Sequence, residues 1–263
     1  MSKELQRPIA VKNLSGGSGI RAAREVLQSG NEQANLFIAD SSLVIANLNA
    51  STSSPDPLVF LPIGTFGITP FALVVPAKSN VNSVAELISY MKANPASANY
   101  GSPGNFTMHQ LGGQMLLQRA EIKAQNISYQ GGGPMLLDLL SGRLTFGIVS
   151  VQLADQYARN GQLRVLAVTG SKRASILPDT PTLSETYPGL TAVSVGYLLA
   201  APKMSTETLE LIAKAWSKII RQNSMAVQLE ALGIEGPALD ASGTKKLMDN
   251  EKRYLKSVII QYN

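Results

Sequence analysis

No cysteine occurs anywhere in the 263 residues, and histidine and tryptophan occur once each. The first absence removes disulfides, thiol nucleophiles and cysteine-ligated metals, and it fits an oxidising envelope and a reducing cytosol equally. A lone histidine, His109, rules out multi-histidine metal sites and leaves at most one imidazole base. Charge is also scarce, at 16% of residues. The 23 basic and 18 acidic residues are spread along the chain, and their net +5 forms no dense Lys/Arg block of the kind nucleic acid needs. Small anions suit that balance better than nucleic acid does. An apolar secretory stretch is likewise missing from the opening "MSKELQRPIAVKN". The longest uncharged run, Leu58 to Val75, carries Pro62, Gly64, Gly67 and Pro70. It reads as two strands and a turn, with no direct membrane insertion expected.

What is present is apolar sequence, 44% of the chain, enough to bury a sizeable core. Short apolar runs alternate with amphipathic segments, the pattern of an α/β protein with mainly parallel sheets. Strands are expected at Ile9 to Asn13, Leu36 to Ala39, Phe71 to Val75, Ala98 to Gly101, Asn126 to Tyr129, Leu144 to Val149, Leu163 to Val168 and Val193 to Ala200. In "SVAELISYMKANP", Ser83 and Glu86 make a capping box and Pro95 ends the helix. "STETLELIAKAWSKII" places Leu209, Ile212, Ala213, Trp216 and Ile220 on one face, so the tryptophan is expected in the core. The segment "NASTSSPDP", 49 to 57, is a polar loop.

Three glycine-rich turns lead from a strand into a helix: Ser15 to Gly19, Ser102 to Thr107, and Gln130 to Pro134. In the second, Thr107 and Gln110 form a capping box, and in the third Pro134 suits a first helical position while Gly142 suits a C-terminal cap. Such turns leave backbone N–H groups free at the positive end of a helix, where a carboxylate or phosphate gains several hydrogen bonds without any charged side chain. None of them is a phosphate-binding P-loop or a full dinucleotide fingerprint, which disfavours nucleotides. Catalytic signals are absent as well. No serine stands at a nucleophile-elbow spacing, no close carboxylate pair is evident, and His109 reads as a partly buried residue of a first helical turn. The chain looks built to bind, with no enzyme activity and no cofactor expected.

The segments "VNSVAELISYMKANP", "NYGSPGNFTMHQLGGQML", "SYQGGGPMLLDLLSGRLTFGIV", "GQLRVLAVTGSKRASILPDTPTLSETYPGL" and "GYLLAAPKMSTETLELI" together resemble the Bug, or TctC-like, extracytoplasmic solute receptors of tripartite tricarboxylate transporters. That resemblance covers nearly the whole chain. It implies a two-domain periplasmic-binding-protein fold, type II-like, each domain a helix-flanked mixed sheet, with residues 1–77 plus 201–263 in one domain and 78–200 in the other. Hinges would lie near "FALVVPAK" and "GYLLAAPK". A small carboxylate would sit in the cleft between domains and pass to membrane permease subunits, from a periplasmic location. By the same resemblance Ser102, Gly104, Asn105, Phe106 and Thr107 would hold the carboxylate, partly through bridging water. Gln130, Gly131 and Gly132, with Ser41, Ser42, Val149 and Ser150 at strand ends after Asp40, would line the rest. The family's first strand, glycine loop and helix have no counterpart before Met1, so the first domain is expected to be gapped, rearranged or completed by another chain. Valine at 149, where relatives carry aspartate, argues against an amino-acid ligand. His109 falls one position before the family's histidine, whose place Gln110 takes, and a truncated or repurposed receptor acting in sensing or partner binding is the alternative reading.

Overall fold

The computed structural model describes residues 1–14, 16–30, 34–49 and 51–262, so Ser15 of the first glycine turn and Ala50 of the polar loop lie outside the described residues. The elements run in the order α1 (Ser2–Leu5), α2 (Ile20–Gln28), β1 (Leu36–Asp40), α3 (Ser41–Leu48), β2 (Leu61–Pro76), α4 (Val84–Ala93), β3 (Asn99–Ser102), α5 (Met108–Arg119) and β4 (Gln125–Ser128). They continue with α6 (Gly132–Ser141), β5 (Phe146–Ser150), α7 (Val151–Arg159), β6 (Leu163–Val168), α8 (Leu183–Thr186), β7 (Val193–Ala200), α9 (Thr206–Ile219), α10 (Asn223–Ala231) and α11 (Ala241–Tyr262).

One long strand organises the sheet. Residues 61–70 of β2 pair with β7, which pairs in turn with β1. Residues 71–76 run between β5 and β6, and β5 continues to β3 and β4. The Leu58 to Val75 run is therefore one continuous strand from Leu61 onward, where two strands and a turn were expected. Its glycines do not reverse the chain because they serve bulges: the register shifts between Pro62 and Gly64 and again between Thr65 and Gly67. The expectation of mainly parallel strands is corrected too. Only β3–β4 and β3–β5 are parallel among the described pairs, since β2 runs opposite to each of its three neighbours and β1 runs opposite to β7. Residues 9–13 form no strand. Among the described residues no strand pairs with them, and Val11 is 81% exposed.

Burial follows from this arrangement. Along β2, Phe71, Leu73 and Val75 face a core built with α4 and α5, while Ala72 and Val74 face a second core built with α6 and α7. A strand buried on both faces loses polar alternation, which is why the run looked membrane-like in sequence. At the other half of the sheet, α2 and α3 cover β1 and β7, and Trp216 of α9 packs against Ile63 and Leu198. The tryptophan is core, as expected, and its indole N–H donates to the Leu239 carbonyl at 2.9 Å.

The two half-sheets are stitched at one point. Phe71 N–H donates to the Thr169 hydroxyl at 2.9 Å, that hydroxyl donates to the Ala192 carbonyl at 2.5 Å, and Ala192 N–H returns to the Thr169 carbonyl at 2.9 Å. Strand partners change at this waist, between Pro70 and Phe71 and just before Val193.

Candidate functional site

Beside the waist lies a cavity of about 960 Å³, walled by both halves of the sheet. Four helices begin at it. On one side are the turn Gly16 to Gly19 that opens α2 and the strand end Asp40 to Ser42 that opens α3; on the other are Pro103 to Thr107 before α5 and Ser128 to Gly131 before α6. The turns are tied to one another. Ser18 donates its hydroxyl to the Asn105 carbonyl at 2.5 Å, Tyr129 N–H reaches Ser102 O at 2.9 Å, and Gly131 N–H reaches Pro103 O at 3.0 Å.

Capping separates the four helix starts into two kinds. At α3 the Asp40 carboxylate accepts from Ser42 N–H at 2.8 Å, and at α5 the Thr107 hydroxyl accepts from Gln110 N–H at 3.2 Å. The expected capping box at α5 is displaced by one residue. Gln110 Oε1 accepts from Phe106 N–H at 2.7 Å, which clamps Phe106 at φ 61, a left-handed conformation rare outside glycine. Replacing Thr107 by alanine removes the cap and should cost about 1 kcal/mol in urea unfolding, with Ser at the same position restoring it. At α2 and α6, by contrast, no side chain caps the first turn. Their N-terminal caps are Gly19 and Gly131, both at positive φ, and Pro134 is the third helical residue rather than the first. A Cβ built on Gly131, Gly132 or Gly133 would meet nothing within 4 Å, so the backbone there is open to close approach by a ligand.

The remaining wall is mostly apolar: Phe37, Leu43, Phe66 and Ile234 line it, together with Ile38, which is 66% exposed. Tyr129 enters from β4, its hydroxyl fixed by the Asp138 carboxylate at 2.8 Å. None of the described lining residues is lysine or arginine, and Asp40 is the one acidic side chain among them. Its pKa is raised, above all by the mass of protein around it, with the Ser42 backbone and hydroxyl opposing that shift. The His109 and Phe71 ring centroids are 4.2 Å apart, and burial lowers the His109 pKa to about 4, so it is neutral across the physiological range. Its Nδ1 is buried without a hydrogen-bond partner in the protein.

Of the residues expected from the resemblance, Gly104, Asn105, Phe106, Thr107, Gln130, Gly131 and Ser42 are brought together on this cavity. Ser102, Ser41, Gly132, Val149 and Ser150 are not among its lining residues. Ser102 is fully buried beneath the turn, and Ser41 donates its hydroxyl to Glu251 while accepting from Val195 N–H at 2.8 Å. Val149 faces the α6 and α7 core, and Ser150 caps α7 through Leu153 N–H at 3.3 Å. Because Val149 points away from the cavity, its identity says nothing about a ligand amino group. Gly16 to Gly19, Phe37, Ile38, Phe66, Gly67, Thr69, Gly196 and Ile234 had no place in the expected site. The first turn was legible as a glycine turn, whereas the others come from strand faces that meet only in the folded chain. The Gly16 to Gly19 turn stands on the cavity across from the other two glycine turns.

A curled mixed sheet with helices on its faces, and a cavity at its waist fed by helix N-termini, defines the periplasmic-binding-protein fold. The chain belongs to the TctC family, the tripartite tricarboxylate transporter family receptors, whose profile matches residues 1–263. A UPF0065 protein of Bordetella bronchiseptica is 26% identical over 254 residues, covering 96% of this chain and 75% of that protein. An R. palustris protein solved with adipate superposes with a TM-score of 0.92 at 25% identity, covering 99% of this chain and 88% of that one. The periplasmic binding protein BugD superposes with a TM-score of 0.90 at 19% identity, covering 99% and 89%. Among the described residues no helix is long and apolar enough to cross a membrane, and no three His, Asp or Glu side chains group to hold a metal ion.

Proposed function

We propose that this chain is a non-enzymatic solute receptor that captures a small carboxylate in the waist cavity and delivers it to the permease subunits of a tripartite tricarboxylate transporter. The observation that carries this reading is the pair of helix starts without a side-chain cap, α2 from one half of the sheet and α6 from the other, opening on one cavity whose described lining residues include no lysine or arginine. Backbone N–H groups at those ends supply the positive potential, so a carboxylate is held by directed hydrogen bonds that need no counter-ion from a side chain. The binding of adipate by the R. palustris relative supports the same chemistry.

Residues 1–70 with 193–263 and residues 71–192 act in this reading as two lobes, the strand pairing moving the boundaries from the expected 77/78 and 200/201. Closure turns on the two strands pinned by Thr169, because only β2 and the entry to β7 change partners there. A ligand touching both lobes shifts the population toward the closed form by the contacts it makes in that form alone. A periplasmic location follows from the transport role. Isothermal titration against mono-, di- and tricarboxylates is the test: saturable binding of at least one is expected, and no binding by any of them would sink the reading. A partner-binding or sensory role without a ligand would show itself by that second result.

A further inference from the structure

We propose that Asp40 sets the ligand class: the cavity takes a monocarboxylate whose far end carries a hydrogen-bond donor, an ammonium foremost, and it disfavours dicarboxylates. The inference rests on the receptor reading above and names what that receptor holds. Asp40 ends β1 on the cavity wall, and register places it opposite Gly196 of β7, a residue with no side chain to stand between the carboxylate and the cavity. One oxygen, Oδ1, is engaged by Ser42 N–H at the start of α3. In its ionised form a carboxylate accepts hydrogen bonds and donates none, so the partner that suits it across the cavity is a donor.

The charges around it point the same way. None of the described lining residues is lysine or arginine, and His109 is neutral, so no side chain in the wall offsets a second carboxylate placed beside Asp40. Beyond Ser41 lies a further acid, Glu251, held by the Ser41 and Tyr197 hydroxyls, and the Asp40 charge adds to its cost of ionisation. Placing a ligand carboxylate beside these acids is unfavourable, whereas an ammonium there is drawn to Asp40. Between Asp40 and the glycine turns the wall is apolar, with Ile38 and Phe66 facing the space, which suits a hydrocarbon spacer between the two polar ends. The carboxylate end has its own place at the α2 and α6 starts, leaving Asp40 to read the other end.

Matched probes test this. Titrations at neutral pH would compare γ-aminobutyrate, δ-aminovalerate and ε-aminocaproate with succinate, glutarate and adipate, and with butyrate, valerate and caproate, on the full chain and on Asp40→Asn. Asparagine keeps an acceptor for Ser42 N–H, so the α3 cap survives the change. In the unaltered protein the best amino acid is expected to bind about tenfold or more tighter than the diacid of equal length, and Asp40→Asn should abolish or invert that order. A diacid that binds as tightly as its amino partner, or an order unchanged in Asp40→Asn, would overturn the assignment while leaving the receptor reading intact. Should Asp40→Asn fail to fold, the order measured on the unaltered chain still decides the matter. Silence from all nine probes and from the wider carboxylate panel would remove the receptor reading, and the inference with it.

Discussion

Gly64→Ala should lower stability by about 3 kcal/mol or more, beyond the ordinary cost of one extra methyl group in a packed core. A Cβ built at this position falls 1.7 Å from Trp216 Nε1 and within 2.5 Å of two further indole atoms. Relief by ring movement is blocked. The indole N–H is bonded to the Leu239 carbonyl, Leu239 N–H is bonded in turn to the Thr65 hydroxyl, and Phe66 meets the ring edge-on at a centroid distance of 5.2 Å. Relief by strand movement is blocked as well, since β2 is paired with β7 on both sides of Gly64. The methyl must therefore break the indole hydrogen bond or the ladder. For a domain of this size the loss corresponds to a fall of about 10 °C in Tm by differential scanning calorimetry. A fall of only a degree or two would mean that the α9 packing is looser than the geometry states.

That glycine also illustrates what the sequence could and could not convey. Its flanks, Pro62 and Gly67, read as punctuation, since proline and glycine usually interrupt a ladder. Here the ladder absorbs them as bulges, and the cause is tertiary: the indole of Trp216, 152 positions away by its number in the chain, needs the room. Local signals fared better. The strands Leu163 to Val168 and Val193 to Ala200, the Thr107 cap and the left-handed Gly142 at the end of α6 are all as the residues indicated, because each depends on neighbours within a few positions. Strand direction depends on which distant segments pair, and the reading of mainly parallel strands failed on that account. At the site, the glycine turns were legible through their composition. The apolar wall of Phe37, Ile38 and Phe66 was not, since alternation along a strand does not reveal which face will border a cavity. Val149 shows the converse case: a strand end that a family pattern places at the site is turned by β5 into the core.

Between about pH 4.5 and 7 Glu251 contributes a fall in stability as pH rises, the reverse of the usual behaviour of a paired carboxylate, and His109, whose pKa burial lowers to about 4, opposes it over nearly the same interval. Burial raises the Glu251 pKa from 4.5 to about 7, although the Ser41 and Tyr197 hydroxyls, the latter at 2.5 Å, favour the charged form. Within that interval the folded chain holds a proton that the unfolded chain has released. At this residue the unfolded state binds fewer protons, so its share of the slope of unfolding free energy with pH is negative. Below the interval both states are protonated and there is no penalty; above it both are ionised and the full penalty persists. A gap of about two and a half pK units corresponds to about 3 kcal/mol. Glu251→Gln, neutral at every pH, should remove the falling contribution and leave stability rising with pH up to about 6.5 through His109, in urea unfolding followed from about pH 5 to about pH 8, and its stability relative to the unaltered chain should improve toward the alkaline end. Asp40, whose pKa is raised as well, works against the His109 contribution in the variant. Equal slopes in the two proteins would show that the buried carboxyl is already ionised when folded. The consequence reaches the cavity, because Glu251 of α11 holds Ser41 at the first position of α3, one residue after Asp40, and holds Tyr197 opposite Ala39 in the β1–β7 ladder. Loss of its proton adds a negative charge beyond Ser41, the residue next to the carboxylate that faces the ligand, so the groups that set this pH dependence also set the field in which the ligand's far end must sit.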